Sequence, residues 1–318
     1  MDTHELLGRI TRLPIVADGL AEDILSGNFR SVFKGQGMEF DEARHYQWGD
    51  DARTIDWNAS ARLGTPFVKM FREERELTIL LLLDTSASMH GGITRLWGNA
   101  QPEAGEKQNL SPFEQALIAA ALIAFSAERS GQRVGAFLFD RNIDRVFPPR
   151  KGRGNILAFV TGALQCHESA PARRYSSRAA IRGEYTSNLR TAIAGAGRML
   201  KRRSMVALIS DFHSTGWEQE LGGLCGRHDV IAIRVHDPMD EDLGDLGLIT
   251  LRDPETGTQV TAPTGSAAFR EAWSQWHRDR ANVWQNLCRR AGAACMALPV
   301  NADAAGALTR FFGGRGGR

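Results

Sequence analysis

Long apolar segments are missing from the 318-residue sequence: no run approaches the ~18 residues that a membrane-spanning helix needs. A secretory signal is missing too, because residues 1–20, MDTHELLGRITRLPIVADGL, carry acidic side chains where such a signal needs basic ones. We therefore expect a soluble, cytoplasmic protein.

Cysteine is scarce, and the four cysteines form neither a C-x-x-C pair nor a zinc-type spacing with the histidines. Catalytic motifs are also missing, since the sequence has no G-x-S-x-G elbow, P-loop or H-E-x-x-H motif. These absences argue against a zinc site and against the enzyme classes that the motifs define. We expect buried, reduced thiols at Cys166, Cys225, Cys288 and Cys295.

Excess charge is small overall, and the formal net charge of +2 argues against a general binder of polyanions. Residues 150–203, the basic zone, nevertheless carry twelve Lys or Arg against two Asp or Glu. Its only aromatic residues are Phe159, Tyr175 and Tyr185, too few for a nucleic-acid platform. A solvated surface is the ordinary interpretation. We expect these arginines to lie near Ser187, where they would attract acidic partners; nucleic acid is the alternative.

What the sequence does have is a pair of apolar strands that end in aspartate. LLLLDTSASMHGG, residues 80–92, predicts a buried parallel strand ending at Asp84, and MVALISDF, residues 205–212, repeats the pattern before Asp211. Because further strands alternate with helices, we expect a parallel sheet covered on both faces. Both carboxylates should then emerge at the carboxyl edge of the sheet, where α/β proteins bind ligands.

Two hydroxyls follow the first aspartate at alternate positions. In an extended loop, Ser86 and Ser88 point the same way and can reach one ion. Carboxylate and hydroxyl oxygens without His or Cys suit Mg²⁺ or Mn²⁺ far better than zinc or copper. We therefore predict a magnesium or manganese site at Asp84, Ser86, Ser88 and Asp211.

These residues resemble a known fold. D-x-S-x-S after an apolar strand, with LISDF later, resembles the von Willebrand factor A fold and its metal-ion-dependent adhesion site. Upstream, YQWGDDARTIDWNASAR, residues 46–62, resembles the signature of the bacterial domain-of-unknown-function 58 family, Y-x-x-G-D-D-x-R-x-I-D-W-x-x-S-A-R. The resemblance implies a von Willebrand factor A-like (Rossmann-like) α/β domain over residues 77–318. Residues 1–76 form an N-terminal appendage that carries the family signature.

The resemblance also implies roles for the site residues. It makes the two serines direct metal ligands and the two aspartates direct or water-mediated ones. The fold takes a third hydroxyl from a threonine in a G-G-T-[DN]-L context, and here EYTSNLRTAI stands at that place. Alignment on Asn188 puts Ser187 at the position of the threonine, with Thr186 as the alternative.

In function, the resemblance implies a non-enzymatic binding module whose metal keeps one position open for the carboxylate of a partner. Proteins of this family are typically encoded near MoxR-type AAA+ ATPases and are thought to serve them as adaptors or chaperone-like factors. The alternative is a Mg²⁺-dependent phosphohydrolase with Asp84 as nucleophile. Such enzymes have a second carboxylate two residues on, and Ser86 stands there instead.

The segment from His90 to Leu110 is a predicted surface loop of about twenty residues, longer than most connections. It follows Ser88 closely and so starts beside the predicted metal. Trp97, a large apolar side chain within it, anchors a partner or packs against the domain, and both interpretations stay open.

Within the family signature, carboxylates, guanidinium groups and an indole recur at short spacing. Asp56 and Trp57, with Arg53 and Arg62, are typical of a packed, salt-bridged turn. A partner-binding surface is the alternative interpretation.

Overall fold

The computed structural model describes residues 8, 10, 39–48, 50–51, 55–72, 77–91, 110–169, 188–255 and 257–315. The chain divides into two compact units, a small one over Phe29–Glu76 and a larger one that contains Leu77–Arg318. The predicted division into residues 1–76 and 77–318 stays a prediction, because most of the first 38 residues lie outside the described part.

The small unit contains an antiparallel strand pair and a short helix. Strand β1 (Glu39–His45) pairs with strand β2 (Phe67–Arg72), and helix α1 (Trp57–Leu63) precedes β2 in the chain. The helix begins after Asp56 and ends at Gly64, which has a φ of 71°. Glycine adopts this left-handed conformation without the steric cost that a Cβ brings, so it suits the end of a helix.

The strands of the larger unit are β3 (Thr78–Asp84), β4 (Arg133–Phe139), β5 (Ile143–Arg150), β6 (Met205–Ser210), β7 (Asp229–His236), β8 (Leu248–Arg252), β9 (Gln259–Pro263) and β10 (Ala294–Pro299). Six of them form a sheet with the order β10-β7-β6-β3-β4-β5. Neighbouring strands are parallel except β4 and β5, which are antiparallel, and β8 pairs with β9 in a separate antiparallel hairpin. The predicted mostly parallel sheet is therefore confirmed.

The helices of this unit are α2 (Ala87–His90), α3 (Pro112–Arg129), α4 (Arg153–Ser169), α5 (Leu189–Met199), α6 (Glu218–Cys225), α7 (Pro238–Glu241), α8 (Ala267–Ala291) and α9 (Ala304–Arg315). They cover both faces of the sheet, as expected. On one face α5, α6 and α8 bury an apolar core with Leu80 and Leu82 of the central strand, while α3 packs on the other face beside α4 and α9. No helix in the described part of the chain is both long and apolar enough to span a membrane.

Helix α3 begins where the sequence predicts. Ser111 and Glu114 cap it reciprocally: the Ser111 hydroxyl accepts from the Glu114 backbone N–H at 3.2 Å, and the Glu114 carboxylate accepts from the Ser111 backbone N–H at 2.7 Å. Pro112 takes the first helical position, where its missing N–H costs nothing. The helix is buried along nearly its whole length, which explains its apolar sequence on all sides.

The thiol prediction holds in part. All four cysteines are free, and Cys166 and Cys288 are buried, but Cys225 and Cys295 are only half-buried.

Candidate metal centre

The predicted site lies at the point where the order of the strands reverses. β3 is the first strand of the sheet in sequence, and its neighbours are β4 on one side and β6 on the other. Open α/β sheets form a crevice at the carboxyl edge of such a switch point. Asp84 ends β3 and Asp211 follows β6, so the two carboxylates flank this crevice as predicted.

Asp84 is fully buried, and both of its oxygens accept hydrogen bonds. Oδ1 accepts the backbone N–H of Ser86 at 2.9 Å, and Oδ2 accepts the hydroxyl of Ser210 at 2.6 Å. Burial and the nearby charge of Asp211 together raise the pKa of Asp84 to about 7, against the lowering effect of those hydrogen bonds. The negative charge therefore lacks a compensating positive charge at this position.

Asp211 has one carboxylate oxygen without a hydrogen bond. Its Oδ1 accepts the backbone N–H of His213 at 3.0 Å, whereas Oδ2 is buried and accepts none. The closest ionisable partner of Oδ2 is the Nδ1 of His213 at 3.5 Å, which is charged only when that ring is protonated. A buried carboxylate oxygen without a donor is costly unless a cation binds it.

The two serine hydroxyls lie 3.0 Å apart, between Ser86 Oγ and Ser88 Oγ. Neighbouring ligands of an octahedral Mg²⁺, each about 2.1 Å from the ion, are about 3 Å apart. Ser86 stands at the N-cap of helix α2, yet its side chain makes no capping hydrogen bond. Its hydroxyl is therefore available for a ligand role that an ordinary cap would preclude.

The residues around the serines are fastened to the sheet and to α4. The Thr85 backbone N–H and hydroxyl both donate to the carbonyl of Phe139, at 2.8 and 3.0 Å. At the other end of α2, the rings of His90 and His167 contact through their Nδ1 atoms at 2.7 Å, and Phe113 stacks on His167. These contacts fix the direction of the loop, while the serine hydroxyls keep their ligand capacity.

Phe212 holds the second half of the site in an unusual backbone conformation. It is the only residue besides glycine with a positive φ, 57°, in the described part of the chain. Its ring is buried and contacts Trp217 and Trp284, with ring centres 5.6 and 5.5 Å apart. Because a bulky residue in this region is strained by about 1–3 kcal/mol, the aromatic packing must hold it there.

Glu255 is an acid near the crevice that local sequence patterns do not indicate. It lies in the turn between β8 and β9, where burial, together with the charges of Asp211, Asp84 and Asp140, raises its pKa to about 8. The run LITLRDPETGTQVTAP, two strand-like stretches around a Pro- and Gly-containing turn, predicts the hairpin but not its approach to the crevice.

Arg234 of β7, a buried arginine near this edge, interacts mainly with other acids. Its strongest charge partner is Glu241, with Nη1 3.7 Å from Oε1, followed by Asp240. Its interaction with Asp211 is weaker. Arg234 therefore does little to offset the charge of Asp211.

A divalent ion that prefers oxygen fits this donor set. The described residues contain no group of three or more His, Cys, Asp or Glu side chains placed to hold a metal. The candidate set instead combines two carboxylates, one with a free oxygen, and two hydroxyls at the separation of neighbouring octahedral ligands. Such a set resembles the ligands of Mg²⁺ and Mn²⁺ and not those of zinc.

The family model described as Protein of unknown function DUF58 matches residues 42–283. The chain belongs to this family. Among its curated relatives are Uncharacterized protein Rv1480 of Mycobacterium tuberculosis and Uncharacterized protein Mb1516 of Mycobacterium bovis. Each is 30% identical over 317 residues, which are 99% of this chain and 91% of the relative.

Two solved structures are similar to about three quarters of this chain. The conserved hypothetical protein BatB of Bacteroides thetaiotaomicron has a TM-score of 0.42 and 15% identity, and the match covers 75% of this chain and 98% of that one. The VWA domain of SpRpn10 has a TM-score of 0.37 and 11% identity, with 74% and 95% covered. Likenesses at this level say nothing of the chemistry of the site.

Three of the predicted side chains lie outside the described residues. They are Ser187, its alternative Thr186, and Trp97. The next residue after Ser187 is described, however: the backbone N–H of Asn188 donates to the carbonyl of Asp140 at 2.7 Å. Asp140 follows β4, so Asn188 lies at the same carboxyl edge of the sheet as Asp84.

The expected position of the basic zone is wrong for most of its described part. Arg150 at the end of β5 pairs with Val134 at the start of β4, so it lies at the amino edge, opposite the site. Arg203 precedes β6 at that same edge, because β6 begins beside Ile79. The reason is topological: the antiparallel β5 and the returning helix α5 both carry the chain away from the carboxyl edge. Arg173, Arg174, Arg178 and Arg182 lie outside the described residues.

The family signature has a structural role, but not the predicted packed turn. Asp56 accepts from the backbone N–H groups of Asn58 and Ala59 at 3.0 and 3.1 Å and so caps α1. Trp57, expected to pack, is 72% exposed, because it stands in the first turn of a helix that has no buried residue. Arg62 is exposed as well, and Arg53 lies outside the described residues.

Proposed function

We propose that this DUF58 protein is a non-enzymatic, metal-dependent protein-binding module. It holds Mg²⁺ or Mn²⁺ with Asp84, Ser86, Ser88 and Asp211, and a third hydroxyl comes from Ser187 or Thr186. One coordination position takes a carboxylate from a partner protein. The observation that carries the proposal is the buried Oδ2 of Asp211, which accepts no hydrogen bond beside a second carboxylate and two converging hydroxyls.

The electrostatics support a resident cation. Asp84 and Asp211 each raise the energy of a negative charge at the other, and Glu255 is a third acid close enough to interact with both. A divalent cation removes this repulsion and binds the free oxygen of Asp211 at the same time. The same ion polarises the hydroxyls of Ser86 and Ser88 and offers its remaining position to an acidic side chain.

The phosphohydrolase alternative has less support. A carboxylate nucleophile needs a free oxygen that faces the substrate, whereas Asp84 is fully buried and both of its oxygens accept hydrogen bonds. Ser86 stands at the position of the second carboxylate. We expect no metal-dependent hydrolysis of p-nitrophenyl phosphate, and turnover that Asp84→Asn abolishes would favour the enzyme.

A MoxR-type AAA+ ATPase is the partner that we propose, on the strength of the family resemblance. The test is the binding of the purified ATPase from the same organism, measured by interferometry in Mg²⁺ and in EDTA. We expect binding in Mg²⁺ that falls at least tenfold in EDTA and in Asp211→Asn. Glu271→Gln, an exposed change on α8, is the matched control and should bind like the wild type. Equal binding in Mg²⁺ and EDTA would contradict the metal dependence, and no binding in either would contradict the partner.

A further inference from the structure

A groove lies between helices α5 and α6, which pack side by side on one face of the sheet. It has a volume of about 300 Å³. Ile193 of α5 and Leu224 of α6 line it, and both belong to the apolar core of the unit. Gly223 of α6 lines it too, and a Cβ added there would meet no atom within 4 Å. The groove therefore combines an apolar wall with open space.

Two arginines stand at the rim of this groove, Arg198 of α5 and Arg227 just after α6. Arg227 lies across both helices: its Nε donates to the carbonyl of Gly223 at 3.4 Å, and its Nη1 donates to that of Gly197 at 3.5 Å. Carbonyl groups are neutral, so these bonds position the guanidinium without cancelling its charge. Neither arginine forms an ion pair with any residue that the structure describes. Both side chains are exposed, so both can pair with an acid from another molecule.

The acid that lines the groove does not offset this charge. The carboxylate of Glu220 accepts from Arg190 Nε at 2.6 Å, so its charge is already paired. Further cations follow Arg198 in the chain, since residues 198–203 read RMLKRR and all of their basic side chains are exposed. This end of the groove therefore carries a concentration of positive charge, which attracts acidic surfaces.

The basic end of the groove lies at the amino edge of the sheet, opposite the carboxyl edge that holds the candidate metal centre. Arg203 and Arg227 each stand two residues before a strand, β6 and β7, and the first residues of these strands, Met205 and Asp229, pair with each other. A molecule bound at this end is thus held by a surface separate from the candidate metal centre. The described part of the basic zone takes part in that surface.

We propose that this groove binds an acidic segment of a partner protein, and that it does so independently of the metal. Carboxylates of the segment pair with Arg198 and Arg227, and an aliphatic side chain packs on Leu224 in the space beside Gly223. Charge complementarity selects an acidic occupant. The apolar wall favours protein over nucleic acid, because the described residues that line the groove include no aromatic ring to stack on a base.

The test measures, by fluorescence anisotropy, the binding of a fluorescein-labelled peptide made of Glu-Glu-Leu repeats. Arg198→Gln/Arg227→Gln removes both charges and should weaken binding at least about tenfold. Gly223→Glu places a carboxylate four residues before Arg227, the spacing at which Glu and Arg pair on a helix, and should weaken binding about fivefold. Gly222→Glu is the matched control. It adds the same charge to α6 outside the groove lining, where an added Cβ also meets no atom within 4 Å, and should bind like the wild type.

Two results would overturn the proposal. The first is a wild type that does not bind the peptide, or that binds it no more tightly than the double variant does. The second is binding of labelled oligo-thymidylate in place of the peptide, lost in the double variant, which would make the groove a nucleic-acid surface. Asp211→Asn should bind the peptide like the wild type, so failure here leaves the proposed metal function intact. Circular dichroism checks the folding of each variant, and the separate changes at the arginines and at Gly223 keep the test valid if one variant misfolds.

Discussion

Two segments of this chain contain aspartate and serine at close spacing, and they use them in opposite ways. In the family signature, Asp56 caps α1 and Ser60 Oγ accepts the backbone N–H of Phe67 at 2.8 Å. At the carboxyl edge of the sheet, by contrast, Ser86 after β3 makes no capping hydrogen bond, and Asp211 after β6 keeps a buried oxygen without a donor among the described residues. The same residue types stabilise the fold in one segment and oppose its stability in the other, which is the mark of a binding site.

The largest expected difference between the segments is in how they make the free energy of unfolding depend on pH when no metal is bound. Unfolded aspartate ionises near pH 4, but native Asp84 stays protonated to about pH 7 because of burial and the charge of Asp211. The native state then binds more protons in this window, so the free energy of unfolding falls as pH rises from about 4 to 7, by at most about 4 kcal/mol.

The pKa shift of Asp50, in the signature segment, is opposite in direction to that of Asp84. Hydrogen bonds from the Gln47 backbone and Arg44 lower its pKa, so its contribution is present above its unfolded pKa and is lost as pH falls. Urea titrations in EDTA at pH 5 and pH 8 isolate the effect of Asp84, because the contribution of Asp50 is fully present at both pH values, and Asp84→Asn should remove most of the fall in stability. A wild type that grows more stable from pH 5 to pH 8, with Asp84→Asn unchanged, would contradict the account.

The next effect tests whether core packing holds the strained residue of the site. Phe212→Ala removes the ring that contacts Trp217 and Trp284 and keeps the left-handed backbone. We expect a loss of about 3 kcal/mol in the free energy of unfolding, measured with urea in EDTA. A loss below about 1 kcal/mol would show that the aromatic packing does not support the loop.

For Asp211→Asn we expect a smaller change, and a gain in stability where Phe212→Ala gives a loss. In EDTA at pH 8, where Asp84 is ionised, this variant should be more stable than the wild type by about 2 kcal/mol, because the buried repulsion with Asp84 is gone. It should also lose the stabilisation that Mg²⁺ gives the wild type. Thermal unfolding with and without Mg²⁺ measures both effects, and a less stable variant in EDTA would mean that Asp211 is a structural residue.

The smallest expected effect belongs to the signature segment. Asp56→Ala leaves the N–H groups of Asn58 and Ala59 without their acceptor and should cost about 1 kcal/mol. Mn²⁺ affinity should not change. A variant that lost Mn²⁺ affinity while keeping its stability would contradict the purely structural role of the signature segment.

The sequence predicted the half of the site that depends on neighbouring strands. Apolar runs before Asp84 and Asp211 indicate buried parallel strands, and parallel strands bring their carboxyl ends together. The nearness of Glu255 to these acids was not predictable, because it depends on where a hairpin distant in sequence lies relative to the crevice. Local patterns carry no information about such a placement.

The misplaced basic zone has a local cause. Strand β5 reads IDRVFPPR, and its two prolines disfavour a strand assignment. An edge strand tolerates proline, and the pairing of β5 with β4 has a register shift at these two prolines. Without this antiparallel strand, the sequence gives no reason to place Arg150 at the amino edge of the sheet.

Calorimetric titration of Mn²⁺ into the Ser86→Ala/Ser88→Ala variant tests the central claim most directly. The wild type should bind one ion, and the double variant should give no binding heat, because both hydroxyl ligands are gone. Ser60→Ala, which removes a serine from the signature segment, should bind like the wild type. Equal Mn²⁺ affinity in the wild type and the double variant would contradict the assignment of the site.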